Sequence, residues 1–585
     1  MKPHYYTCER NAQIVIALLK AHNIRKIIAS PGATNIAFVA SVQIDPYFEI
    51  YSCVDERSSA YMACGLAAES GEPVVLSCTG ATSSRNYMPA LTEAYYRKLP
   101  ILAITSSRGE NLIGHLKPQV TDRTCVPNDI VVEHVTAPLV TDARSEMLCN
   151  LEVNKAILAL YHHGGGPAHI NLLTLTPSDF SVKSIAPVRA IYRHENTSQM
   201  PPLPSGSIAI FIGAHRTFTE EETQVLNVFC KQYNAVILRD HTSGYYGSNS
   251  IMPSLLLAQN GYNGVLKHLD LIIHLGGICG CYYMNSIKPK EVWRVCADGS
   301  IQDFFGTLSH VFEMDEIVFF TYYSQIQTDK RYLGDSLFSV CQADYEHIMK
   351  QIPDLPLSNI WVASQLHNEL PQNSVLHLGI LNSLRSWNFF TLDKTILSNC
   401  NVGGFGIDGI LSTAVGSSLA NPEKIHFCVL GDLAFFYDMN ALGNRHISNN
   451  LRIMVINNGL GQEFKNPSFE TYYGFSDGIE PYIGAAGHFG RRNNVLKHFS
   501  QDMGFEYIYA NTKDQVLKYL PYFTQSKKTN SSILFEIRTE SPMETKALQL
   551  ISNVISLPYH SQVVLNAKET GKAIFHHVLP LLWKR

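Results

Sequence analysis

Two residues in the last third of the chain could do chemistry together. Asp432 and Asn458 bracket the stretch Gly431–Gly461, GDLAFFYDMNALGNRHISNNLRIMVINNGLG. A carboxylate, an amide oxygen and a nearby backbone carbonyl are hard oxygen ligands, and such a set suits a Mg²⁺ ion that also bridges phosphate oxygens. The elements that must position them are legible. The apolar run Ile425-His426-Phe427-Cys428-Val429-Leu430 predicts a strand ending at Gly431-Asp432. Phe436, Met439, Leu442 and Gly443 fall near helical spacing, and Ile453-Met454-Val455-Ile456 predicts a second strand ending at Asn457-Asn458-Gly459. Ligands of parallel sheets sit beyond the carboxyl ends of the strands. Asp432 and Asn458 are therefore expected to face one crevice, with the N–H groups of the intervening helix open to phosphate. The pattern also fits an ordinary buried strand–helix–strand unit with polar turns.

Glu56 is the second candidate. It stands between the strand pattern Phe48–Cys53 and an Ala-rich helical pattern, Ser58–Ala68. A carboxylate there could cap the helix and meet its dipole, or it could serve a site at the strand exit.

The rest of the composition narrows the class. The 585 residues are 45% apolar and 16% charged, a balance that supports large cores and a length that suits three or four domains. The 46 basic and 50 acidic residues give a net charge of −4 and form no Lys/Arg tract, which argues against nucleic acid as a partner. No apolar run approaches the ~20 residues of a membrane span, and the leading MKPHYYTCERNAQ has no apolar signal core. The 13 cysteines are scattered, many inside apolar runs such as those of Cys53, Cys78 and Cys428, and Cys279-Gly280-Cys281 lacks zinc-site spacing. These features predict a cytoplasmic protein with reduced thiols.

Strand and helix patterns alternate through 1–185: strands at Arg25–Ala29, Phe48–Cys53, Val74–Cys78, Ile101–Thr105 and Ala168–Leu173, and helices at Ala12–Leu19, Ser58–Ala68 and Asn86–Arg97. This is the signature of a doubly wound parallel sheet. Residues 186–206 are Pro-rich and read as a linker. A second α/β segment, 207–350, has strands at Ile208–Ile212, Ala235–Leu238, Leu271–Leu275 and Trp293–Val295 but no obvious catalytic cluster. Beyond the boundary Pro353-Asp354-Leu355-Pro356, the unit 357–550 holds the opening stretch, and 551–585 predicts an amphipathic docking helix. The fold class is α/β, with three doubly wound parallel-sheet domains. His162, His163, His576 and His577 come in pairs without partners at ligand spacing and read as surface or interdomain residues.

Several motifs together resemble the thiamine diphosphate enzymes. They are Ser30-Pro31-Gly32, Val54-Asp55-Glu56-Arg57-Ser58, Asn86-Tyr87-Met88-Pro89-Ala90, Glu93-Ala94-Tyr95-Tyr96, Gly406-Ile407-Asp408-Gly409, and Gly431-Asp432-Leu433 with Asp438-Met439-Asn440. Leu433, where most of these enzymes carry Gly, is similar to one subfamily, the menaquinone-pathway 2-succinyl-5-enolpyruvyl-6-hydroxy-3-cyclohexene-1-carboxylate synthases. The resemblance implies a pyrimidine-binding, a central and a diphosphate-binding domain, with thiamine diphosphate and Mg²⁺ as cofactors. It implies that Glu56 hydrogen-bonds N1′ of the aminopyrimidine and favours the imino tautomer that deprotonates the thiazolium C2–H, acid–base help worth roughly 10²–10⁴-fold. Ile407 becomes the apolar wedge that bends the cofactor. Asp432, Asn458 and the Leu460 carbonyl become the metal ligands, with Gly431, Leu433 and Ser383 near the diphosphate. Arg108 and Gln119 match substrate-site positions. The cofactor would lie between chains, so the partner is a second copy, as a homodimer or homotetramer.

The chain also departs from that subfamily. Arginines expected for anionic substrates are replaced by Thr34, Trp387 and Val402, each lost contact being worth about 2–3 kcal/mol. Arg385 or Arg85 could take over an anchoring role. Glu463 stands where the subfamily lines the site with an apolar residue; it either faces the pocket, as a proton donor of raised pKa, or points away at the surface. The expected activity is decarboxylation of a 2-oxo acid, with release of the aldehyde or transfer of the acyl-anion equivalent to an acceptor. The alternatives are the synthase reaction itself, from 2-oxoglutarate and isochorismate, and a non-catalytic family member, against which Glu56 argues.

Overall fold

The computed structural model describes residues 5–175, 178–195, 199–326, 336–466, 481–488 and 494–555. The chain divides into two compact units, Met1–Met200 with Asp298–Glu313, and Pro201–Ala297 with Met314–Arg585. The secondary structure is built into parallel α/β sheets, as the alternating patterns predict.

In the first unit six strands pair in the order Glu49–Ser52, Lys26–Ala29, Val74–Thr79, Ile101–Ser107, Ala168–Leu173, Glu133–Ala137. The two central strands, Val74–Thr79 and Ile101–Ser107, are buried at every position, because helices cover both faces. Alternate side chains of each strand go to opposite cores. Ile27, Val75 and Leu102 pack with the helices Arg10–Ala21 and Ala143–Ala159; Ile28, Leu76 and Ala103 pack with Glu56–Ser70 and Met88–Arg97. The helix expected as Asn86–Arg97 is two helices, Ala81–Asn86 and Met88–Arg97, with Pro89 in the first turn of the second. Tyr192–Glu195, inside the stretch expected to be a linker, is a strand paired in parallel with Leu308–Glu313. Its side chains are half-exposed or exposed, so it carries no apolar run to announce it.

In the second unit, Ser250–Ile251, Val236–Leu238, Ile208–Ile212, Leu271–Leu275 and Glu291–Cys296 lie side by side. A further six-stranded sheet has the order Leu397–Asn399, Val375–Leu378, His426–Gly431, Leu451–Asn457, Ile533–Arg538, Glu506–Ala510. The helical pattern after Asp432 is a short α-helix, Asp432–Tyr437, followed by a 3₁₀ turn, Met439–Gly443. Asp438, at the break, accepts the backbone N–H and the hydroxyl of Ser412, both at 2.6 Å. The chain continues through the helix Ser541–Ile551 to Ile555, whose N–H, with that of Val554, donates to the Gln259 side chain. The docking helix expected over 551–585 lies mostly outside the described residues. No helix among them is long and apolar enough to cross a membrane.

One buried acid ties these elements to the site described next. Glu544 accepts the N–H of Asn359 on both oxygens (3.1 and 3.0 Å) and the hydroxyl of Thr539 at 2.7 Å. Burial pushes its carboxyl up from 4.5 to about 7, against the pull of these donors. The folded state thus holds this proton more tightly than the unfolded chain. The contribution of Glu544 to stability is complete below about pH 4.5 and is lost as pH rises through about 7. Urea unfolding across that window is expected to show a steeper fall with pH in the native protein than in Glu544→Gln. Parallel curves would refute the assignment.

Candidate active site

The pairing of His426–Gly431 with Leu451–Asn457 sets Leu430 opposite Val455 and Gly431 opposite Ile456. Asp432 and Asn458 therefore leave adjacent strands at the same end of the sheet. Asp432 is buried, and its Oδ2 accepts the N–H of Gly459 at 3.1 Å. Asn458 Oδ1 accepts the N–H of Leu460 at 3.2 Å, which closes the turn. Gly459 has a φ of +78°, a left-handed conformation that glycine adopts without strain. Burial pushes the Asp432 carboxyl up from 3.8 to about 7, even though the N–H groups of Asp432, Leu433 and Gly459 pull it down; the nearby Glu536 adds to the rise. Glu536 is itself buried, accepting from Asn457 Nδ2 and the Tyr507 hydroxyl, each at 2.7 Å. Two buried acids call for positive charge, and the donors at this turn are all oxygens. Asp432, Asn458 and the Leu460 carbonyl thus fit a divalent cation of the Mg²⁺ type. Gly431 and Leu433 are half-buried beside Asp432, and Ile407 is partly buried against the core of Ile410, Leu411 and Phe435.

A second feature of this unit is an ion pair. The short helix Asn382–Trp387 is buried from Ser383 to Trp387, and its Arg385 Nη2 donates to both oxygens of Glu463. Side-chain exposure is only 6% and 7%, so the pair is shielded from water. The ring of Tyr282 lies 5.4 Å from the guanidinium and meets Phe405 edge-on. Burial opposes the charge on Arg385, but Glu463, Tyr283 and Tyr282 outweigh it and hold the guanidinium protonated. The Arg385 Nε is buried without a hydrogen-bond partner. Glu463 is thus neither at the surface nor in the wholly apolar setting expected of a proton donor: a cation sits on its carboxylate. Tyr282 comes from the middle segment, where no chemistry was expected.

The replacements for the missing arginines are embedded. Trp387 is fully buried, and its carbonyl accepts from His241 Nε2 at 3.0 Å. Val402 is buried near Leu384, the two side chains flanking Gly280. Ser383 accepts from Asn359 Nδ2 at 3.1 Å, the residue whose N–H sits on Glu544.

In the first unit, Glu56 opens the helix Glu56–Ser70, but the cap is its neighbour: Asp55 accepts the N–H of Ser58 at 2.7 Å. Glu56 is partly exposed, and its Oε2 accepts from Asn86 Nδ2 at 3.2 Å. The capping role considered for Glu56 therefore belongs to Asp55. Thr34 is buried and donates to the Ser106 carbonyl at 2.6 Å. Arg108 and Gln119 are exposed, and Arg85 donates to the Asp122 carbonyl at 2.6 Å. Sequence reasoning missed Arg123. It is buried, donates to Thr105 Oγ1 at 2.6 Å and to Asn171 Oδ1, and lines a pocket with Arg85, His169, Met88 and Leu91. Burial without an acidic partner in contact lowers it to about 10. Nothing in Thr121-Asp122-Arg123-Thr124-Cys125 marks this arginine as internal.

Residues 10–125 match the family described as "Thiamine pyrophosphate enzyme, N-terminal TPP binding domain". Over nearly its whole length the chain is similar to 2-succinyl-5-enolpyruvyl-6-hydroxy-3-cyclohexene-1-carboxylate synthases. That of Bacteroides fragilis is 30% identical over 563 residues, 93% of this chain and 98% of the relative. That of Bacteroides thetaiotaomicron is 30% identical over 574 residues, with the same coverage. That of Flavobacterium johnsoniae is 28% identical over 496 residues, 79% of this chain and 87% of the relative. The chain belongs to the thiamine diphosphate-dependent enzymes, in the family of these synthases.

Removing one partner of a buried pair strands the other's charge, at a cost of about 3–5 kcal/mol. Arg385→Ala is expected to lower the unfolding free energy by that much, and adding Glu463→Leu to recover most of it. Additive losses in a denaturant double-mutant cycle would show that the two side chains do not depend on each other.

Proposed function

We propose that this enzyme uses thiamine diphosphate and Mg²⁺ to decarboxylate a 2-oxo acid whose carboxylates are not held by the synthase arginines. It either releases the aldehyde or passes the acyl-anion equivalent to an acceptor. The observation that carries this reading is the buried Arg385–Glu463 pair over the ring of Tyr282. It puts a new, internally compensated charge at the turn that follows Asn458, while Thr34, Trp387 and Val402 are committed to packing or hydrogen bonds.

When bound, thiamine diphosphate supplies a nucleophilic carbon and the electron sink for decarboxylation. Asp432, Asn458 and the Leu460 carbonyl would hold Mg²⁺ against the diphosphate, with Ser383, Gly431 and Leu433 beside it. Ile407 would support the ring system from below. Glu56 would hold a proton at the pyrimidine N1′, positioned for this by Asn86 and freed from capping by Asp55. Arg385 offers its guanidinium to an incoming carboxylate. Glu463, the partner such a carboxylate would displace, would be the candidate proton donor to the product. Arg108 and Gln119 would contact the substrate. Three domains (pyrimidine-binding, central and diphosphate-binding) and a second copy of the chain complete the assembly. The exposed Val54, Tyr61, Met62 and Tyr96 around the Glu56 helix suit a homodimer contact.

A second reading, the synthase reaction with 2-oxoglutarate and isochorismate, is favoured by the relatives' own names and by Arg108 and Gln119. Incubation with a panel of 2-oxo acids, scored for CO₂ and for consumption of isochorismate, separates the two. The proposal expects CO₂ from a 2-oxo acid without isochorismate consumption; the opposite result establishes the synthase. Glu56→Gln is expected to slow turnover by roughly 10²–10⁴-fold while leaving the fold intact. Glu463→Gln is expected to slow aldehyde release more than CO₂ release, and equal effects on both would remove Glu463 from proton delivery.

A further inference from the structure

The pair His162-His163, which the sequence leaves without ligand partners, meets one in the fold. His162 Nε2 lies 2.8 Å from Glu313 Oε2, and His163 Nε2 lies 2.7 Å from Glu313 Oε1. One donor atom from each of the three residues lies within 4.8 Å of the others. All three residues belong to the first unit.

The backbone has been shaped to bring them there. Neighbouring side chains ordinarily diverge, yet these two imidazoles stack with centroids 3.8 Å apart and planes 28° from parallel. The cause is His163, which sits in the left-handed region at φ +50°, ψ +45°. That conformation costs a non-glycine residue roughly 1–2 kcal/mol, and such strain persists where the surroundings enforce it. Gly164, Gly165 and Gly166 follow with φ of +89°, +75° and +155°, which lets the chain leave the turn. On the other side, Gly299 has a φ of +60°, and a Cβ there would stand 2.4 Å from Glu313 Oε2. The carboxylate occupies the space that the missing side chain leaves.

His163 Nε2 and Glu313 Oε1 are within hydrogen-bond distance, and the buried atoms His162 Nε2 and Glu313 Oε2 make a close ion-pair contact. Both imidazoles therefore turn a ring nitrogen to the same carboxylate. Arg193 Nε is 3.7 Å from Oε2, and its guanidinium donates to the carbonyls of Leu158 at 3.3 Å and Gly299 at 3.0 Å.

We propose that His162, His163 and Glu313 form a divalent transition-metal site of the zinc type. Two imidazole nitrogens and one carboxylate are a borderline-soft donor set, with a further position left for water. The site is distinct in kind from the oxygen-only set at Asp432, which suits a hard cation. Bound metal would clip the turn after the helix Ala143–Ala159 to the end of the strand Leu308–Glu313. The inference does not depend on the proposed reaction.

Co²⁺ serves as the probe, because its visible spectrum distinguishes nitrogen and oxygen ligands from thiolates, and this chain has 13 free cysteines. Titration of the full-length protein, with thiamine diphosphate and Mg²⁺ present, is expected to give one equivalent of a visible ligand-field band without thiolate charge transfer. Zn²⁺ should displace it. His163→Ala, a change at a largely exposed side chain, and Glu313→Gln should each weaken binding by at least about tenfold. His163→Ala alone decides the matter if Glu313→Gln does not fold. A band that survives His163→Ala, a thiolate spectrum, or no band at all would overturn the proposal.

Discussion

Burying charge is expensive unless it is matched, and this constraint governs every functional feature of the molecule. Asp432 and Glu536 are buried in one sheet, and burial, with Glu536 nearby, pushes the Asp432 carboxyl up. Arg385 and Glu463 match each other. Arg123 is matched only by the neutral oxygens of Thr105 and Asn171. The parallel register of His426–Gly431 with Leu451–Asn457 fixes where the first of these acids falls. The same register brings Asn458 to the same end of the sheet, so one pairing sets both the acid and the amide of the candidate cation site.

Much of the fold was legible because the central strands are buried on both faces. Val74–Thr79, Ile101–Ser107 and Leu451–Asn457 each carry an apolar run of three or more residues, and such runs stand out in a sequence. Two elements nearer the margins were not legible. Glu133–Ala137 and Tyr192–Glu195 carry polar side chains on half-covered backbone, and their pairing is decided by partners distant in the chain. The return of Asp298–Glu313 to the first unit has no local signature at all.

The candidate site divides the same way. Asp432, Asn458 and Glu56 could be found because each stands at a strand exit, where period and punctuation coincide. The division of labour between Asp55 and Glu56 could not, since two adjacent acids look alike until one is seen to take the N–H of Ser58. The partner of Glu463 was equally hidden. Seventy-eight positions separate it from Arg385, and nothing in the sequence singles out Tyr282 as the ring beneath them. Contacts of this kind are properties of the packed chain.

Trp387 gives this arrangement a direction in time. Its indole has no exposure to solvent. An arginine installed there would be cut off from water, and a buried charge without a partner is costly. A return to arginine would therefore require the surrounding core to be rebuilt at the same moment, and the indole acts as a ratchet against it.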